Sequence, residues 1–369
     1  MTNEGPEHGW WLRPSELVRE ILQHACEPGV TARYRLADTV LEVDSNYGRV
    51  LELLRLHWDD CALPDASGLD GMHIRSSVRV GSRPDLALVS FEGSKEADGS
   101  VMAASRFQHL LSRRNSETLS PVSGWTLAHI RRSPRPFMTR CGHEALIDLS
   151  QEPLQKTPGF LHRYLLSAAL STQRNLLIVH AASVRIGGTG VLLMGPSASG
   201  KTTVSFALAA RGHSLLSEEI AAIRLGPELL LPIRRTAGIR RGPRAKAVSE
   251  RLEGRHWETE ILQDGTERRL VRTGEVFPDN QASPTKLGCA FYLRGFAGRA
   301  SVERIFPASP DALMQRLSGD TMAVSGVTPA RRVMKLFTLL DMLSRRRCYF
   351  IDVGPPEETA ELVERTVQQ

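Results

Sequence analysis

The sequence has no apolar stretch of the roughly 18 to 20 uninterrupted residues that a membrane helix requires. Its opening, MTNEGPEHGWW, has no basic region followed by an apolar one, as an export signal would. No membrane partner is expected, and the reading places the chain in the cytoplasm. Cysteine is scarce: five residues, Cys26, Cys61, Cys141, Cys289 and Cys348, odd in number and never spaced as CxxC. That pattern indicates neither a disulfide framework nor a zinc site. Internal repeats and low-complexity tracts are absent. Aromatic residues make up 6% of the chain and are thin around both arginine clusters, Arg234, Arg235, Arg240, Arg241, Arg244 and Arg345, Arg346, Arg347. A nucleic-acid partner that stacks bases on aromatic rings is thereby disfavoured.

What is present is ordinary globular material, long enough at 369 residues for two domains. We expect an N-terminal α+β module over residues 1–152 and a second domain over 153–369, divided near SQEPLQKTPG. In the first, PSELVREILQHA and NYGRVLELLRLHW carry apolar residues at helical spacing, while ARYRLADTVLEV and MHIRSSVRV alternate as half-buried strands do. Residues 91–123 are rich in Ser, Gly and charge and predict long loops.

The second domain carries the chemistry. NLLIVHAASVRI, a GG turn and TGVLLMG read as two strands, the second running into GPSASGKTT, and KTTVSFALAARG follows as a helix. Gly195, Gly200, Lys201 and Thr202 fill every fixed position of GxxxxGK[ST], between a strand and a helix where that motif works. Glycines let backbone N–H groups turn toward phosphate oxygens, the helix start adds positive potential, and Lys201 supplies a full charge. The whole loop, Gly195, Pro196, Ser197, Ala198, Ser199, Gly200, Lys201, Thr202 and Thr203, is thus the candidate site for ATP or GTP, with the Thr202 hydroxyl offered to Mg2+.

Holding a triphosphate does not decide its fate, which depends on the acceptor and its base. HSLLSEEIAAIRL, read as the next strand, places Glu218 and Glu219 where a base or a metal ligand is required. Alternate residues of a strand face opposite ways, so both can serve only if the strand ends there; otherwise they are edge carboxylates. His180 is either a core histidine or a member of this site. RRTAGIRRGPR reads as a loop whose arginines clamp a γ-phosphate or a substrate carboxylate, or are simply solvated. CYFID imitates a magnesium-binding strand, but we read Asp352 as structural.

Taken together, VHAASVRIGGTGVLLMGPSASGKTTVSFALAARGHSLLSEE resembles the kinase domain of HPr kinase/phosphorylase and related proteins, a P-loop fold shared with PEP carboxykinase. A looser similarity continues through KLGCAFYLRG and CYFIDVGPPEETAELVERT. The first half is similar in outline to the front module of such kinases in peptide natural-product clusters, the lasso peptide kinases included. The resemblance implies an α/β kinase domain with a mixed sheet behind a smaller α+β domain, and γ-phosphoryl transfer to a serine of a peptide or small protein. It implies Glu218 as base, His180 orienting it, and Glu219 with Thr202 at Mg2+. It also implies a homo-oligomer, since related enzymes assemble through this domain. Two departures are plain: the acidic pair is Glu-Glu where the family usually has Asp-Asp or Asp-Glu, and the glycine-rich phosphorolysis signature is missing, so a dedicated kinase is expected. A free-serine kinase and an ATPase or switch remain the alternatives.

Overall fold

The computed structural model describes residues 14–24, 29–64, 72–81, 86–92, 116–122, 125–130, 137–140, 144–149, 160–171, 173, 175–240, 252–253, 257–261, 267–278, 280, 282–305, 317 and 329–369. It divides into two compact units, the first comprising residues 1–57, 62–172 and 260–266 and the second the remainder.

In the first unit, helix α1 (Pro14–His24) precedes β1 (Val30–Leu36) and β2 (Thr39–Ser45), then α2 (Gly48–Trp58) and β3 (Met72–Val80). There follow β4 (Leu86–Glu92), β5 (Ser116–Val122), β6 (Trp125–Ile130), β7 (Phe137–Arg140), β8 (Glu144–Asp148) and α3 (Phe160–Ser171). The eight strands form one sheet in the order β1-β2-β3-β4-β8-β7-β6-β5, mixed because β2 and β3 run parallel. ARYRLADTVLEV is a hairpin rather than one strand: the chain reverses at Ala37 and Asp38, with Ala37 at φ +56°. Alternation persists through both arms, so periodicity alone cannot see the turn. Within 91–123, β4 ends at residue 92 and β5 occupies residues 116–122; the loop expectation otherwise falls outside the described residues, as do SQEPLQKTPG, Arg241 and Arg244. Helix α3, expected to open the second domain, packs on β1 and β2, and the observed division follows it at residue 172.

The second unit opens with β9 (Leu176–Val179), β10 (Ala182–Ile186) and β11 (Thr189–Met194), followed by α4 (Lys201–Ala210), β12 (Ser214–Ser217), β13 (Ala221–Arg224) and β14 (Leu229–Leu231). Next come β15 (Ala237–Arg240), β16 (Glu258–Ile261), β17 (Glu267–Val271), the single turn α5 (Thr273–Val276), β18 (Thr285–Phe296) and β19 (Ser301–Ile305). Helix α6 (Pro329–Ser344), β20 (Arg347–Val353) and α7 (Pro356–Gln368) complete it. Its main sheet runs β12-β10-β11-β18-β14-β13-β9, with β20 also beside β18 and β19 beside β20. The centre, β11-β18-β20, is parallel, and the flanks are antiparallel, so this sheet too is mixed.

Two apolar clusters cover the sheet's faces. Val191, Leu193, Phe291, Leu293, Ile351 and Val353 pack with Val204, Phe206 and Leu208 of α4 and with Ala360 and Val363 of α7. Leu192, Met194, Tyr292 and Phe350 pack with Leu339, Leu340 and Leu343 of α6. Each such buried side chain contributes about 1.5–3 kcal/mol, so the parallel centre is the rigid base of whatever the loop after β11 holds.

Candidate active site

Residues Gly195–Gly200 join the C-terminal end of β11 to the first turn of α4. Gly195 and Gly200 have φ +143° and +104°. A Cβ on Gly195 would stand 2.6 Å from the Leu293 carbonyl oxygen, and one on Gly200 3.2 Å from both Phe296 and Val353. The glycine pattern is thus required twice over, by dihedral and by the sheet end beneath. Pro196, Ser197 and Ala198 form the exposed crown, with Ala198 at φ +63°, and Ser199 and Gly200 are buried at the base. Lys201 is buried and its Nζ donates to the carbonyls of Gly195 (2.7 Å) and Pro196 (2.8 Å), so the ammonium lies under the loop it belongs to. Thr202 and Thr203 are half-buried on the first turn of α4.

The strand carrying His180 is two strands. β9 pairs with β13, its last rung Val179 to Ala221, whereas β10 pairs with β12, its nearest rung Ser183 to Ser217. The segment HSLLSEEIAAIRL breaks in the same place: β12 ends at Ser217 and β13 starts at Ala221. Both chain lines therefore leave the ladder together, with His180 and Ala181 in one gap and Glu218, Glu219 and Ile220 in the facing gap. A hydrogen bond between the Ser183 and Ser217 hydroxyls, 2.7 Å, closes one end. His180 is half-buried at this break, not midway along a strand. The strand end allows both glutamates to serve, because neither is bound by the alternation of a ladder.

The two acids differ. Glu218 accepts a short hydrogen bond from Thr202 Oγ1, which ties the carboxylate to the first turn of α4. Burial pushes its carboxyl up from 4.5 to about 7, helped by the charge of Glu219 and opposed by the Thr202 hydrogen bond and by Arg235 and Arg268. Glu219 is 44% exposed, with Arg235 Nη1 at 3.7 Å. Thr202 Oγ1 and these carboxylates are hard oxygen donors, the kind that Mg2+ takes in small number beside waters and phosphate oxygens. Glu218, rather than Glu219, is the acid in contact with the Thr202 hydroxyl.

Of three further residues near these acids, only Arg234, in RRTAGIRRGPR, was marked by the sequence; Asn280 and Arg268 were not. Asn280 accepts from the Leu215 N–H (2.9 Å) and donates to the His213 carbonyl (2.5 Å), fixing the start of the strand that delivers Glu218. Arg234 in turn donates to the Asn280 carbonyl at 3.0 Å. The charge of Arg268, on β17 and well beyond the arginine-rich stretch in sequence, acts on Glu218. That stretch is also less of a loop than its composition suggests, since residues 237–240 are β15, paired with β17.

Asp352 lies at the same end of the sheet but belongs to its other face. Ile351 and Val353 point toward α4, and Asp352, alternating with them, is held by Arg294 (2.8 and 2.5 Å) and Ser301 (2.7 Å). Arg294 holds this carboxyl below its ordinary value. The second arginine cluster is likewise occupied: Arg345 and Arg346 both pair with Glu228. Among the described residues, no helix is long and apolar enough to cross a membrane.

No family model matches the chain, and no curated protein does. Among solved structures, the HPr(Ser) kinase/phosphatase from Coxiella burnetii is similar at 12% identity over 52% of this chain and 88% of that one, with a TM-score of 0.26.

Proposed function

We propose that this chain is an ATP-dependent, Mg2+-requiring phosphotransferase that moves the γ-phosphoryl group to a serine hydroxyl of a peptide or small protein. The observation that supports it most is the bond between Thr202 and Glu218: a half-buried carboxylate is attached to the hydroxyl on the first turn of the helix that follows the loop. A loop that only binds nucleotide has no need of such a base, whereas transfer to a hydroxyl, whether of serine or of water, does.

In this reading Lys201 leaves the Gly195 and Pro196 carbonyls and turns to the β- and γ-phosphates. Thr202 and Glu219 would hold Mg2+, which supplies charge neutralisation on the phosphate oxygens. The Thr202 hydroxyl can bind a metal through a lone pair and still donate its proton to Glu218. A carboxylate has about four acceptor sites, so Glu218 keeps an oxygen for the acceptor hydroxyl and takes its proton as the phosphorus–oxygen bond to the acceptor forms. His180, in the facing gap, orients that carboxylate. A natural-product precursor of the lasso type is the acceptor this reading favours, in keeping with the family that the loop and its flanks resemble.

The test is mass spectrometry on HPr, a serine-terminated peptide, the same peptide amidated and free serine, each incubated with Mg2+ and ATP, with Lys201→Ala as the blank. A phosphate gained on a peptide serine with the wild type alone supports the reading. Gain on free serine alone replaces the acceptor, and ATP consumed equally with and without every acceptor, none gaining mass, replaces the reading with an ATPase or switch.

A further inference from the structure

Residues 233–240 follow a path that the proposed reaction does not yet use. Ile233 forms a parallel bridge with Ser217, its N–H donating to the Leu216 carbonyl at 2.9 Å. The chain then passes beside the Glu218–Glu219 break. Arg235, on that stretch, has a side chain only 12% exposed, with Nη1 3.7 Å from Glu219 Oε2. Two residues on, β15 begins and pairs antiparallel with β17, Arg240 opposite Arg268 and Gly238 opposite Leu270.

Gly238 shows where Arg268 goes. A Cβ there would fall 2.6 Å from Arg268 Cδ and 2.8 Å from its Nε and Nη1. The guanidinium therefore lies diagonally across Gly238, on the side of the rung nearer Arg235 and the two glutamates, over ground that a larger residue would occupy.

Resting on the phosphotransfer reading, we propose that Arg235 and Arg268 form a cationic clamp that binds the phosphoryl group in flight between nucleotide and acceptor, with Gly238 as the bare backbone that lets Arg268 reach it. The bond from the γ-phosphorus to its bridging oxygen breaks and that to the acceptor oxygen forms; the leaving nucleotide diphosphate takes the electron pair and Glu218 takes the proton. The clamp exchanges neither, and its planar guanidinium forks match the equatorial oxygens, on which charge is spread at the midpoint.

Aluminium fluoride with ADP and Mg2+ imitates that midpoint without an acceptor. In the full chain, ADP dissociation is measured with and without aluminium fluoride. The wild type should release ADP at least about tenfold more slowly with fluoride, since arginines of this kind act chiefly on the transition state. Arg235→Gln and Arg268→Gln should bind MgADP within about twofold of wild type but lose the fluoride effect. Gly238→Ala, which keeps both charges but displaces Arg268, should lose a substantial part of it. If a Gln variant does not bind MgADP, Arg→Lys and Gly238→Ala carry the test.

Full fluoride tightening in the arginine and Gly238 variants, or none in a wild type that binds MgADP, overturns the clamp alone. A wild type that fails to bind MgADP in a Lys201-dependent way overturns the phosphotransfer reading and the clamp together.

Discussion

Glu218 couples pH to stability with a definite sign. Its folded-state carboxyl titrates near 7 against 4.5 ordinarily, because burial and Glu219 disfavour the anion. The folded chain thus holds this proton more tightly than the unfolded chain does. The resulting stability is fully present below pH 4.5 and is lost as pH rises through 7. For the metal-free protein, Glu218→Gln should match wild type near pH 4.5 and exceed it at pH 8, by on the order of 2–3 kcal/mol for a shift of this size. Urea melts of both proteins at the two pH values, in chelator, check it; equal differences at both would remove the buried carboxylate from the account. The glycine-lined turn from β11 into α4 was legible at this scale because its residues are contiguous. The Thr202–Glu218 contact lay within reach of the same reading, the two being separated by one helix and one strand. Arg268 was not legible: nothing in ERRLV marks one arginine over the other, and only the long-range β15–β17 pairing brings it back beside Gly238.

At the level of elements, apolar runs revealed strands but not where they change partner. LLIV and the start of ASVRI are buried alike, and so are SLLS and AAI, so the apolar character of the two segments runs on across His180 and Ala181, and sequence pattern alone does not mark the exchange there. Partner exchange is a tertiary decision: β9 follows β13 while β10 follows β11 and β12. The same reasoning decides Asp352. A strand has two faces, and this residue's face carries Arg294, Phe350 and α6 rather than the loop helix. Asp352→Asn should therefore leave nucleotide affinity within about twofold of wild type, as expected for a side chain away from the phosphates. It should lower the melting temperature, because Arg294 loses its charged fork partner. Nucleotide titration paired with a thermal melt separates the two effects, and a large loss of affinity at unchanged stability would return Asp352 to the site.

For the whole molecule, length allows two domains, and of the two compact units observed neither is a continuous piece of sequence. Residues 58–61 belong to the second unit although the rest of their neighbourhood in sequence belongs to the first. Trp58 is fully buried, and Asp60 accepts from the Thr273 hydroxyl at 2.7 Å and the Gly274 N–H at 2.9 Å, at the start of α5. Cys61 Sγ donates to the Arg234 carbonyl at 3.0 Å, and burial pushes its thiol up to about 12, so it is held as a neutral packing group. No local pattern in WDDC announces this, because the partners lie more than 170 residues away. A fragment starting at residue 173 would lack Asp60 and Cys61 and leave the Thr273 hydroxyl and the Gly274 N–H without their acceptor. Asp60→Ala in the full chain should destabilise the second unit by about 1–3 kcal/mol, the cost of stripping partners from buried donors. Hydrogen exchange provides the check: faster exchange should appear at Gly274 and through α5, and protection unchanged there would mean that the contact of Asp60 with α5 does not hold the second unit together.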